Sequence, residues 1–98
     1  MRTIIMVTAY GEDNHYQKRY EDIVGFYSRV DKAIVGAMND GMTEQQKDYL
    51  KDNRDLILLD NAIQTHRSVT VQVDFDKEDD EDCNSSYMFQ TFNLDEDL

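Results

Sequence analysis

Residues 74 to 82, "DFDKEDDED", place seven carboxylates and one lysine in a nine-residue run. Carboxylates crowded at this spacing have three uses: to hold a divalent cation, to share protons in acid–base chemistry, or to present a polyanionic surface. The first use needs a pattern. An EF-hand loop takes acidic ligands at positions 1, 3 and 5, glycine at 6 and glutamate at 12. Counted from Asp74, the first three ligands are Asp74, Asp76 and Glu78, but Asp79 takes the glycine position and Ser85 the last. Counted from Asp76, those two positions fall on Glu81 and Tyr87. The run has the charge for weak cation binding and lacks the pattern of a dedicated metal site.

Acid–base catalysis fits no better. A working pair needs one buried and one solvated carboxyl, so that their pKa values separate. Neighbours along one short run share a single wet environment. Cys83 follows the acids directly. Their field disfavours its thiolate, the reactive form, so it reads as an ordinary surface thiol. His15 and His66 are the only histidines, and no HxH, HxxxH or CxxC spacing accompanies them. His66 has a structural explanation, because a histidine near a helix C-terminus suits the helix dipole. Glycine-rich phosphate loops and nucleophile elbows are absent. The sequence predicts no catalytic residue, no metal ligand and no cofactor, and so a protein that is not an enzyme.

The third use remains. Net charge is −11, and residues 74–98 supply −9 of it, the last three acids being Asp95, Glu96 and Asp97. Residues 1–73 are almost balanced at −2. Such a field repels nucleic acid and acidic membranes and attracts basic surfaces. The short apolar stretch "TIIMV" near the start is too brief for a signal peptide, and no run approaches the length of a membrane span. One unpaired cysteine excludes an internal disulfide. A soluble cytoplasmic protein is expected.

The elements that must position the acids follow from periodicity. "RTIIMVTAY" (2–10) is β-branched and apolar, a buried strand. From Asp13 to Asn39, Tyr16, Tyr20, Ile23, Val24, Tyr27, Val30, Ile34, Ala37 and Met38 recur in steps of three and four, which predicts one long helix. "NDG" at 39–41 ends it, and Gly25 and Gly36 either weaken it or admit a close neighbour. Thr43 and Gln46 form a capping box for a second helix that runs to about Thr65, with "KDNRD" (51–55) able to kink or split it. "SVTVQVDF" alternates as a half-buried strand, with Val69, Val71, Val73 and Phe75 on one face. "YMFQTFNL" (87–94) alternates too, with apolar residues on both faces, and the pair suits an antiparallel hairpin. The expected fold is a single α+β domain over 1–98, of two layers and order β-α-α-β-β. Its antiparallel sheet packs on two helices. An acidic hairpin loop spans about 76–86 and a short acidic tail 95–98.

A held array of carboxylates imitates the densely charged backbone of DNA or RNA. In size, charge and lack of catalytic motifs the chain resembles, as a class, the small acidic inhibitors that phages encode against host restriction or CRISPR systems. The resemblance implies a host-cytoplasmic inhibitor of a basic, nucleic-acid-handling protein, with no nucleic acid or membrane bound directly. Asp74, Asp76, Glu78, Asp79, Asp80, Glu81 and Asp82 would meet that partner, with Asp95, Glu96 and Asp97 adding charge and Tyr87 or Tyr10 an aromatic anchor. The alternative is an adaptor or oligomerising module that uses an aromatic helix face or a strand edge. In that case a homodimer is compatible with the sequence and the acids serve only solubility.

Overall fold

The computed structural model describes residues 2–13, 18–74 and 83–94. Strand β1 is Arg2–Asp13 and β2 is Lys18–Tyr27. Helices α1 (Val30–Asp40), α2 (Glu44–Asp52) and α3 (Asp55–Thr65) follow, then strands β3 (Thr70–Val73) and β4 (Cys83–Leu94). The four strands form one antiparallel sheet in the order β2-β1-β4-β3. The class is two-layer α+β, and the last two strands pair as the expected hairpin.

One expectation is overturned. The first half of the predicted long helix, Asp13–Asn39, is strand: β1 continues to Asp13 and β2 occupies Lys18–Tyr27. Ile23, Val24, Phe26 and Tyr27 are β-branched or aromatic and fit a pleated surface well, while Gly25 counts against a helix. The misleading period has a structural origin. Val7 pairs with Gly25 and Thr8 with Ile23, so Val24 is an extra, bulged residue. The bulge lets Val24 pack against the core together with Tyr27, and a strand thereby acquires a three-residue step. Only the second half of the stripe is helical, with Ala33, Ile34 and Ala37 buried. The order is therefore β-β-α-α-α-β-β, one strand and one helix more than expected.

Local chemistry explains the other boundaries. Gly41 ends α1 at φ 140°, where its N–H and that of Met42 both donate to the Ala37 carbonyl. The capping box of α2 is formed: the Gln46 N–H donates to Thr43 Oγ1 at 3.1 Å, and the Thr43 N–H donates to Gln46 Oε1 at 2.9 Å. "KDNRD" does split the second helix, because Arg54 adopts a left-handed conformation (φ 61°, ψ 18°) between α2 and α3. His66 closes α3 in the same region of conformational space (φ 57°, ψ 41°).

The core lies between the sheet and the helices. Ile5, Val7 and Ala9 of β1, with Tyr87 and Phe89 of β4 and Val71 and Val73 of β3, form the sheet side. Ala33, Ile34 and Ala37 of α1, Leu50 of α2 and Leu59 of α3 cover it. Among the described residues, all three helices contribute to this one cluster, so they share one face of the sheet.

Candidate protein-interaction surface

Of the acidic run, Asp74 is the one described residue. It follows β3 directly, is exposed, and accepts a hydrogen bond from Gln72 Nε2 at 3.0 Å. Asp76, Glu78, Asp79, Asp80, Glu81 and Asp82 lie outside the described residues, as do Asp95, Glu96, Asp97 and His15. The described sheet still fixes where the run departs and returns. Val73 pairs with Tyr87, whereas β4 begins four residues earlier, at Cys83, which pairs with Asp13. Residues 83–86 of the expected loop thus belong to β4.

Tyr87 is placed differently from the expected surface anchor. Its side chain is 3% exposed, and its hydroxyl donates to Asp40 Oδ2 at 2.9 Å. The cause is parity. Directly opposite residues of an antiparallel pair share a face, and Val73, opposite Tyr87, points into the core. Tyr10 lies on the other face, half-buried, with its hydroxyl 3.3 Å from Glu21 Oε1 and 3.9 Å from Met88 Sδ. Partial desolvation raises the Tyr10 phenol above its ordinary pKa, and the Glu21 charge and hydrogen bond add to the effect.

That other face carries no helix among the described residues. Its even-numbered β1 positions are flanked in register: Met6 by Phe26 and Gln90, Thr8 by Ile23 and Met88, and Ile4 by Phe92. These rows put large apolar side chains side by side on a face that the helices leave uncovered. Ile23 is 59% exposed and Phe26 58%, while Ile4, Met6, Met88 and Phe92 are half-buried. Exposed apolar side chains gathered on an uncovered sheet face make it a candidate interaction surface. The signal for it was in the sequence, since "YMFQTFNL" alternates with apolar residues on both faces. The helix expected over residues 18–27 hid the other contributors, Ile23 and Phe26.

No family model matches the chain, and no curated protein or solved structure does either.

The surface therefore has to speak through its own chemistry. No three His, Cys, Asp or Glu side chains among the described residues come together in a way that could hold a metal ion. A shallow cleft between the start of α1 and α3 is lined by Arg29, Asp31, Leu56, Asp60 and Ile63. Its charged pair, Arg29 and Asp31, is solvent-exposed at 3.0 Å, an ion pair of small energetic weight. His66 serves the fold. Asn93 Nδ2 donates to the His66 carbonyl at 2.7 Å, leaving Asn93 Oδ1 to accept from the Thr3 hydroxyl at 2.8 Å. With its proton committed, Thr3 Oγ1 accepts from His66 Nδ1, also at 2.8 Å. These bonds link β1, β4 and the end of α3. No described helix is long and apolar enough to cross a membrane.

Proposed function

We propose that the protein is a small acidic inhibitor that occupies a basic surface on a nucleic-acid-handling protein. In this reading the carboxylates of residues 74–82 and 95–97 stand where phosphates would otherwise sit. The observation that carries it is the charge distribution: −9 in residues 74–98 against −2 in the rest of the chain. Solubility alone does not call for that concentration. The acidic run is also tied to the sheet at both ends, by Asp74 after β3 and by Cys83 at the start of β4. Tethering at two points lowers the entropy lost when the run is ordered against a partner. Inhibition follows by exclusion: an occupied basic groove cannot take its nucleic acid. Association is steered by the field and slows as salt screens it. The mode of action is that of a phage-type counter-defence protein working in the host cytoplasm, without catalysis.

The test is a set of amide replacements, Glu78→Gln, Asp79→Asn, Asp80→Asn, Glu81→Gln and Asp82→Asn, made together. Capture of nucleic-acid-handling proteins by the native chain, lost in the variant and lost as salt rises, supports the reading. Equal capture by both chains, with the fold intact by circular dichroism, removes the acids from the binding surface.

A second reading has its own observation. Ile23 and Phe26, each more than half exposed on the open sheet face, suit an adaptor or self-associating module. It predicts association that is nearly indifferent to salt.

A further inference from the structure

The open face of the sheet is ordered across three strands, with β1 in the middle. Its β1 residues run from Arg2 through Met6, at the centre, to Tyr10. On one side Phe92 and Met88 of β4 stand opposite Ile4 and Thr8. On the other side Phe26 and Glu21 of β2 stand opposite Met6 and Tyr10. The charges lie at the two ends of this strip and differ in sign. Arg2 is exposed at one end, and Glu21 is exposed at the other beside the Tyr10 hydroxyl. Between them the strip is mostly apolar, with Phe26 58% exposed and Ile4, Met6, Met88 and Phe92 half-buried.

We propose that the occupant of this face is a second copy of the chain, the two sheets stacking face to face as in a sandwich. The strip is complementary to itself reversed. When a second copy is turned over about a two-fold axis that crosses the strands at Met6, Phe26 meets the partner's Phe26. Phe92 meets the partner's Met88, and Arg2 meets the partner's Glu21. Ring on ring and sulfur on ring are favourable contacts, and the ion pair forms twice, once at each end. A two-fold axis along β1 would instead set Arg2 on Arg2. A partner of one charge sign would be attracted by one end of the strip and repelled by the other. From Arg2 to Tyr10 the strip is about 26 Å long, and four strands are about 19 Å across. Each copy then contributes about 500 Å² in projection, so that the total, about 1,000 Å², lies at the lower bound for a specific pair. Net charge of −11 opposes association at long range, but at 0.15 M salt charges more than about 8 Å apart are largely screened. The inference rests on the self-associating reading and gives it a geometry. It uses none of residues 74–82 or 95–97, so the acidic-inhibitor reading stands or falls apart from it.

Sedimentation equilibrium in reducing buffer tests it, on the native chain, Arg2→Glu, Glu21→Arg, the two reversals together, and Phe26→Ser. The native chain is expected to dimerise with a Kd on the order of 100 μM, as suits an interface of that size. Each single reversal sets like charges together at both ends and should weaken the dimer about tenfold. The double reversal restores opposite charges and should bring the affinity back to within about threefold of native. Phe26→Ser, beside the centre, should weaken it about tenfold. All three replaced side chains are exposed in the single chain, and a melting curve confirms that each variant is folded. A dimer that withstands Phe26→Ser or either single reversal, or that the double reversal fails to restore, overturns the inference and leaves the self-associating reading in place. Failure of that reading looks different: the native chain would stay monomeric at about 1 mM, tenfold above the expected Kd.

Discussion

Tyr27 lays its ring between Gly25 of its own strand and Gly36 of α1, and neither position has room for a methyl group. A Cβ at residue 25 would come within 2.8 Å of the phenolic oxygen. At residue 36 it would lie 2.9 Å from Cε1 and nearer still to the oxygen. The two glycines are therefore the slot through which α1 reaches the sheet. In an exposed helix, glycine to alanine stabilises by about 1 kcal/mol. Here Gly36→Ala should destabilise instead, by about 1–3 kcal/mol, the cost of overpacking. Urea midpoints of Gly36→Ala, Tyr27→Ala and the double variant decide it: the double variant should lose less than the sum of the singles.

Two buried threonines should respond to the same substitution with opposite signs. Thr8, 1% exposed, has no hydrogen-bond partner for its hydroxyl among the described residues. Thr91, equally buried, accepts from the Val69 N–H at 2.8 Å and donates to the Arg67 carbonyl at 2.7 Å. Valine keeps the shape and removes the hydroxyl. Thr8→Val should stabilise by about 1 kcal/mol, by removing an unsatisfied buried group. Thr91→Val should cost about 2–3 kcal/mol, because it strands a backbone donor and an acceptor together. Thermal melts of the two variants measured side by side check the contrast.

These pairs also show what the sequence could and could not disclose. The Thr43–Gln46 capping box, the glycine stop after α1 and the alternation of β3 are local signals, and each is realised. The failures came from non-local geometry. A bulge is defined by its partner strand, so Val24 gave no warning that its spacing to Tyr27 belonged to a strand. Parity likewise buried Tyr87, since its face depends on which residue it opposes. Of the proposed site, Asp74 and the apolar face are described, and the face became legible only once Ile23 and Phe26 were seen in β2.

The Tyr10 phenol should titrate above the ordinary tyrosine value, as burial and then Glu21 dictate. The folded state thus holds this proton more tightly than the unfolded chain does. Its contribution to stability is complete below the ordinary phenol pKa, near 10. It is lost as pH rises from there through the folded value. Glu21→Gln removes the charge and should lower the midpoint. The difference in ultraviolet titration between native and Tyr10→Phe proteins, with and without Glu21→Gln, isolates the shift from the other tyrosines.

Arg54 sits in left-handed backbone between α2 and α3, at φ 61°. Glycine reaches that conformation without the steric cost of a Cβ. Arg54→Gly should raise stability by about 0.5–1 kcal/mol, net of the added freedom of the unfolded chain. An unchanged or lower denaturation midpoint would mean that the arginine side chain contributes more than its backbone costs.

The placing of β1 has a consequence in time. It pairs with β2 on one side and along its whole length with β4 on the other, Arg2 opposite Leu94 and Asp13 opposite Cys83. During synthesis β1 emerges before β4 and stays half-paired until residues 83–94 follow. The β1–β2 hairpin can form early, but Phe89, wholly buried opposite Val7 in the finished core, arrives only with β4. Maturation is then late and nearly all-or-none, governed by closing one long loop of chain rather than by growing outward from a nucleus. A ribosome that stalls before residue 83 would release a molecule with an exposed sheet edge, fit for quality control and for little else.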